Sequence, residues 1–283
     1  RDYVRIKPYG ILLFGGSAVG KSATSNALTR FVLESNGFDS SPRSVIVLNE
    51  FDKFQSEYRS HHGGVIFDDL CNGKVETTDG NPLSKVIQFI NNAPMAALNP
   101  NVEMKGNVMI EPNVVLATTN VKNLKADAYS NEPLSISRRF QVTITVEVKP
   151  EFCKPGTKMI DSSKVRKAFG SAAYPNHCLY TVEEAIPREG AIASNDVDFR
   201  VFNFEGQPLK QIEIATLLRF LPEDSARHFE EQAHFVANQK ALEVLDLNED
   251  GLPIEFDSQM LSGLFEISDY VIEKEEIVMS WLE

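Results

Sequence analysis

The chain has 283 residues, 42% of them hydrophobic, and its 28 Lys+Arg against 40 Asp+Glu give a formal charge of −12. That is enough apolar material for a full core, while three cysteines (Cys71, Cys153 and Cys178) exclude a disulfide framework and fit a reducing compartment. No apolar run reaches the roughly 18 residues of a spanning helix, and the acid excess excludes a broad nucleic-acid-binding surface, which needs basic groups to neutralise phosphate.

The charge is uneven: residues 1–149 carry 16 Lys+Arg and 15 Asp+Glu, whereas 150–283 carry 12 and 25. A neutral front half and a strongly acidic back half confine any nucleic-acid contact to local features. The chain opens on Arg1 without an initiator Met, which suggests a processed or excised product.

In chain order, strands are predicted at 11–14, 45–48, 65–68, 114–118 and 141–148, and helices at 22–33, 83–91 and just before Arg138. The first four strands are short, apolar and rich in β-branched residues, as in strands buried on both faces. The fifth alternates Val142, Ile144, Val146 and Val148 with Thr143, Thr145 and Glu147, so it is expected at a sheet edge with one face in water. This order implies an α/β fold with a mainly parallel sheet sandwiched by helices. From 149 to 200 four prolines predict loops and short strands. Two helices are expected at 208–220 and 222–245, and an amphipathic helix at 261–282.

Between the first strand and first helix lies Gly15-Gly16-Ser17-Ala18-Val19-Gly20-Lys21-Ser22, a phosphate-binding loop. Glycines let successive N–H groups turn inward around a phosphate, Lys21 reaches the β/γ oxygens, Ser22 offers its hydroxyl to Mg²⁺, and the helix N-terminus adds its dipole. The strand 65–68 ends in Asp68-Asp69, at the sheet edge where a doubly wound fold opens its crevice. Asp68 is expected to hold the Mg²⁺ shell and Asp69 to orient or deprotonate an attacking water. The strand 114–118 leads to Asn120, which is positioned to hydrogen-bond the γ-phosphate or that water. Lys21 precedes Asp68 by 47 positions and Asn120 by 99, the spacing of a very compact ATPase core.

With these motifs, and with Asp68-Asp69-Leu70-Cys71-Asn72, Ala93-Pro94-Met95-Ala96-Ala97-Leu98, Lys105-Gly106 and Ser137-Arg138-Arg139-Phe140, residues 9–148 resemble the superfamily 3 helicases of picornaviruses and their picorna-like relatives. The resemblance implies an AAA+-type ATPase core over 1–149, followed by a mostly helical acidic region over 150–283. It implies ATP and Mg²⁺ as cofactors and a ring, usually a hexamer, with ATP between neighbours. In that setting Arg138 and Arg139 would be fingers reaching the next subunit's nucleotide, and Lys105 with Gly106 would face a central pore that grips single-stranded RNA. Lys122 and Lys125 either add to that surface or are solvated charges.

The helix at 261–282 packs on its own domain or docks on a neighbour, as the terminal helix of the picornaviral relatives does. Their cysteine-rich zinc element is missing here, and Cys153, His177 and Cys178 do not form a convincing zinc set. Asp246, Asn248, Asp250, Gly251 and Asp257 mimic a calcium loop, but Pro253 and the missing final Glu favour an acidic turn.

Function then divides into a motor that translocates on or unwinds RNA during viral genome replication and an ATP-regulated RNA chaperone or replication scaffold. Either would act in the host cytoplasm at membrane-associated replication complexes, with other viral replication proteins as partners and any membrane contact made by segments outside this chain. The acidic back half leans toward protein partners.

Overall fold

The computed structural model describes residues 4–49, 55–73, 81–99, 106–189 and 197–243. Its elements are β1 (Tyr9–Phe14), α1 (Lys21–Ser35), β2 (Val45–Leu48), β3 (Gly64–Phe67), α2 (Leu83–Phe89), β4 (Val114–Thr119), α3 (Ala126–Tyr129), α4 (Pro133–Ser137), β5 (Val142–Val148), α5 (Ser162–Phe169), β6 (Cys178–Pro187), β7 (Val197–Val201), β8 (Asn203–Phe204), β9 (Gln207–Pro208) and α6 (Ile214–Glu243). The chain divides into two compact units, Arg1–Phe229 and Glu230–Glu283. The sheet lies in the first; of the second, the described part is the continuation of α6 to Glu243. Among the described residues no helix is long and apolar enough to cross a membrane.

Seven strands form one sheet in the order β2-β3-β4-β1-β5-β6-β7. The pairs from β2 to β5 are parallel, and β5-β6 and β6-β7 are antiparallel. Side chains of one strand alternate between faces, and β1 feeds two separate cores. Tyr9, Ile11 and Leu13 join Leu28 and Val32 of α1 and Leu217 and Leu221 of α6 on one face. Leu12 joins Val65, Phe67, Val115 and Ala117 with Leu83, Val86 and Phe89 of α2 on the other. The expected mainly parallel sheet between helices is therefore present. Gly10 is where β1 meets the start of β5 most closely: a Cβ there would lie 2.8 Å from the Arg139 carbonyl oxygen.

Two expectations are corrected. β5 is not an edge strand, because β6 and β7 continue the sheet beyond it. Its alternation reports which face is polar, not how many neighbours the strand has; Thr143 is itself buried and sits opposite Glu183 of β6. The strands expected to be short between 149 and 200 include the ten-residue β6, whose inward Cys178, Tyr180 and Val182 are fully or almost fully buried. The second correction concerns the pair of helices at 208–220 and 222–245, which is one helix, α6, with Pro222 inside it. It starts at Ile214 because Pro208 pairs in the β8-β9 hairpin and Gln211 turns through a positive φ of 52°. Proline removes one N–H but leaves its carbonyl, and the Ser225 hydroxyl donates to it at 3.2 Å.

Lys105, the segment 246–257 and the segment 261–282 lie outside the described residues.

Candidate nucleotide site

The parallel register brings the ends of β1, β3 and β4 to one edge. β1 runs into the loop at Gly15, β3 ends one residue before Asp68 and β4 one residue before Asn120. Because β4 lies between β1 and β3, Asn120 emerges between the loop and the two aspartates.

Lys21 opens α1 and is only 7% exposed. Its Nζ donates to the carbonyls of Gly15 (3.0 Å) and Gly16 (2.8 Å) and to Asn120 Oδ1 (2.6 Å). Burial pulls its pKa below the usual lysine value, and the charges of Asp69 and Asp68 work against that pull. Gly16, Ser17 and Ala18 are exposed at the loop tip, with Ala18 at a φ of +57°, while Val19 is buried in the core beneath α1. Gly20 caps α1 at a φ of +90°, a conformation open to glycine at little cost.

Ser22 Oγ lies 3.4 Å from both carboxylate oxygens of Asp68. A hydroxyl facing two exposed carboxylate oxygens at that spacing is a hard-oxygen donor set suited to Mg²⁺. Together with the amides at the start of α1 and the cation of Lys21, the residues present fit a nucleoside triphosphate and its metal.

Thr118 organises this edge, and sequence reasoning passed over it. Its hydroxyl donates to Asp68 Oδ1 at 2.7 Å and accepts from the Asp69 N–H at 2.8 Å. Asp69 and Cys71 both have positive φ, 55° and 59°, strained for residues with a side chain. The Leu70 N–H to the Thr118 carbonyl (2.8 Å) and the Thr119 hydroxyl to the Leu70 carbonyl (2.8 Å) hold the turn in that form. Asn72 Oδ1 accepts from the Asn120 N–H at 3.1 Å, tying the third motif to the second. The only visible trace of the clamp was a threonine pair at the end of an otherwise apolar strand.

Arg138 and Arg139 are not at this edge. They precede β5, whose start lies beside Gly10, five strand residues and therefore about 16 Å from Gly15. Arg138 is exposed, with no side-chain hydrogen bond or ion pair among the described residues. Arg139 is half-buried; its Nη1 donates to the Ile90 carbonyl at 2.6 Å, and burial lowers its pKa. Lys7 lies beside both, and burial followed by the charges of Arg139 and Arg138 pushes it down to about 8. Gly106 occupies a turn at a φ of +78°. Lys122 pairs with Glu183 and lies 4.5 Å from the Phe199 ring centre, and Lys125 donates to the Gly73 carbonyl at 2.5 Å, so both are engaged within the chain.

Residues 11–121 match the family model described as RNA helicase. That similarity covers under half of the chain and is to RNA helicase domains. The match begins in β1 and ends one residue past Asn120, so it encloses the loop, both aspartates and the asparagine. The relatives of this chain include viral polyproteins. The chain is 28% identical over 155 residues to the RNA1 polyprotein of Tobacco ringspot virus, covering 55% of this chain and 6% of that protein. It is 26% identical over 155 residues to the genome polyprotein of Human enterovirus 70 (strain J670/71), with the same coverage. The chain thus spans a small part of the curated relatives it matches.

Proposed function

We propose that this chain is an ATP-hydrolysing superfamily 3 RNA helicase or translocase, with an AAA+-type core over 1–149, working as a ring oligomer, most simply a hexamer, in viral RNA genome replication. The observation that carries the reading is the separation between the two ends of the sheet. The loop at 15–22, Asp68, Asp69 and Asn120 converge at one end, while Arg138, without a side-chain hydrogen bond or ion pair among the described residues, stands about 16 Å away, more than one arginine side chain spans. Nucleotide chemistry that uses both sets needs two copies, one supplying the cradle and the other the cation.

In this reading Ser22 and Asp68 hold Mg²⁺, which supplies divalent charge against that of the triphosphate. Lys21 leaves its carbonyl and Asn120 partners to neutralise the β/γ oxygens. Asp69, held by Thr118 through its backbone, orients or deprotonates the attacking water, and Asn120 fixes that water or the γ end. Arg138 acts in trans as the finger. Arg139, tied to Ile90, positions the turn that presents Arg138. Lys105 and Gly106 grip single-stranded RNA at the pore, and the 150–283 region, including the 261–282 helix, serves assembly and contacts with other replication proteins. The setting is the host cytoplasm at membrane-associated replication complexes, membrane contact being left to segments outside this chain.

The test is ATP turnover and strand displacement on an RNA duplex with a single-stranded tail, measured on wild type and Lys21→Ala with ATP and a non-hydrolysable analogue. Displacement that needs both Lys21 and hydrolysis supports the motor. Turnover without displacement supports the chaperone or scaffold reading, toward which the acidic back half leans.

A further inference from the structure

The face of the phosphate loop turned toward β5 and β6 carries a second wall that no motif marks. The segment between those strands folds back onto the loop: the Ile160 N–H donates to the Ala18 carbonyl at 2.9 Å. His177, just before β6, accepts at its carbonyl from the Lys149 N–H at 3.0 Å, which anchors it next to the end of β5. A Cβ placed on Gly20 would lie 3.6 Å from Ile160 Cδ1 and 3.9 Å from His177 Nε2.

His177 is 7% exposed. Its Nδ1 lies 2.8 Å from the Pro175 carbonyl, an oxygen that only accepts, so Nδ1 carries a proton, and in the neutral ring Nε2 presents a lone pair. Nε2 has no hydrogen-bond partner among the described residues. A buried imidazole acceptor set against an anion-binding loop repels phosphate oxygens and takes a donor.

Sheet order says which donor. The hydrolytic groups Asp69 and Asn120 lie on the β3-β4 side of β1, whereas Ile160 and His177 lie on the β5-β6 side. A triphosphate whose γ end faces the first side leaves the loop toward the second, and the ribose is the first part of a nucleotide past the phosphates that carries O–H donors. We propose that His177 Nε2 accepts a hydrogen bond from a ribose hydroxyl of the bound nucleotide, with Ile160 packed against the sugar. This makes His177 a specificity residue for ribonucleotides, and it rests on the triphosphate-binding reading above.

The experiment measures binding of ATP, 2′-deoxy-ATP and 3′-deoxy-ATP with Mg²⁺ by calorimetry at low temperature, for wild type, His177→Ala and His177→Gln, each checked for a native melting curve. Wild type is expected to prefer ATP over one of the deoxy nucleotides by about fivefold, the worth of one neutral hydrogen bond. His177→Ala should bring ATP down to that deoxy nucleotide without weakening the latter further, and His177→Gln, which keeps an acceptor, should retain part of the preference. Equal affinities of wild type for all three nucleotides would overturn the proposal even if the variants failed to fold, as would a folded His177→Ala that loses all three equally or none. In each of these cases ATP still binds and the parent reading stands. Absence of any triphosphate binding by wild type brings both down.

Discussion

At the carboxyl end of the sheet two carboxylates stand exposed beside a buried lysine, one of them on a turn of positive φ and the other held by a threonine hydroxyl; at the amino end an aspartate and a histidine are packed into the core. Asp68, Asp69 and Asn120 are exposed, with Asp69 at positive φ. At the other end the Tyr9 hydroxyl donates to Asp224 at 2.6 Å, Asp224 pairs with Arg227, and the His228 ring bonds the Lys7 carbonyl at 2.9 Å, with Tyr9, Asp224 and His228 all buried. Two arginines are exposed there: Arg227, paired with Asp224, and Arg138, which has no side-chain hydrogen bond or ion pair among the described residues. The contrast is between an edge lined by exposed carboxylates and an end whose buried polar groups are paired within the fold; under the proposal above, the first takes the ligand and the second mounts Arg138.

The largest effect that tests this contrast is on Arg138. Arg138→Ala is expected to lower ATP turnover by roughly 10³-fold or more, and Arg139→Ala to lower it less while reducing the melting temperature, because it leaves the Ile90 carbonyl without its donor. Mixing Arg138→Ala with Lys21→Ala should recover part of the activity, since mixed seams then hold one intact half from each copy. Additive inactivity in the mixture would end the two-copy account. Next comes Lys21→Ala alone, with an expected loss in turnover on the order of 10² to 10³ and weaker triphosphate binding by calorimetry.

The mount itself is probed by acid. Burial holds His228 at about 4, below its ordinary 6.5. Between those values the unfolded chain binds more protons than the folded one, so stability rises with pH and is lost as pH falls from 6.5 toward 4. The loss is on the order of 3 kcal/mol, read from urea midpoints. Asp224, raised by burial, works the other way just above its ordinary 3.8 and blunts the lower part of the curve. His228→Gln, which keeps a donor for the Lys7 carbonyl, should flatten it. The smallest effect is Thr118→Val, which removes the clamp on Asp68 and Asp69; the Mg²⁺ concentration for half-maximal turnover should rise about tenfold, as for one hydrogen bond to a charged group. An unchanged Mg²⁺ requirement would mean that the exposed end needs no support from β4.

Much of this was legible from local patterns. The run 15–22 between an apolar strand and a helix, the carboxylates after 65–67 and the asparagine after 114–119 each follow from chain-local rules: buried strands are apolar, and the chain turns polar where a strand leaves the sheet. β6 escaped because its signal was diluted by prolines on either side, and Pro222 read as a helix end although packing of Leu217 and Leu221 on the sheet carries α6 through it. Thr118 and His177 were silent because what places them is not local: Thr118 bonds Asp68, and His177 lies beside Gly20, each dozens of positions away.

The sequence by itself determined the glycine-rich loop between β1 and α1, the order of the five strands through residue 148, and the resemblance to a viral helicase, since short-range periodicity and fixed motif spacing encode all three. Only the tertiary structure decided that β4 inserts between β1 and β3, that Arg138 and Arg139 sit at the far end of the sheet with Arg139 bonded to the Ile90 carbonyl, and that His177 flanks Gly20. Strand order and the end of the sheet at which a residue emerges depend on pairings between distant segments, and no local pattern in the chain carries that information.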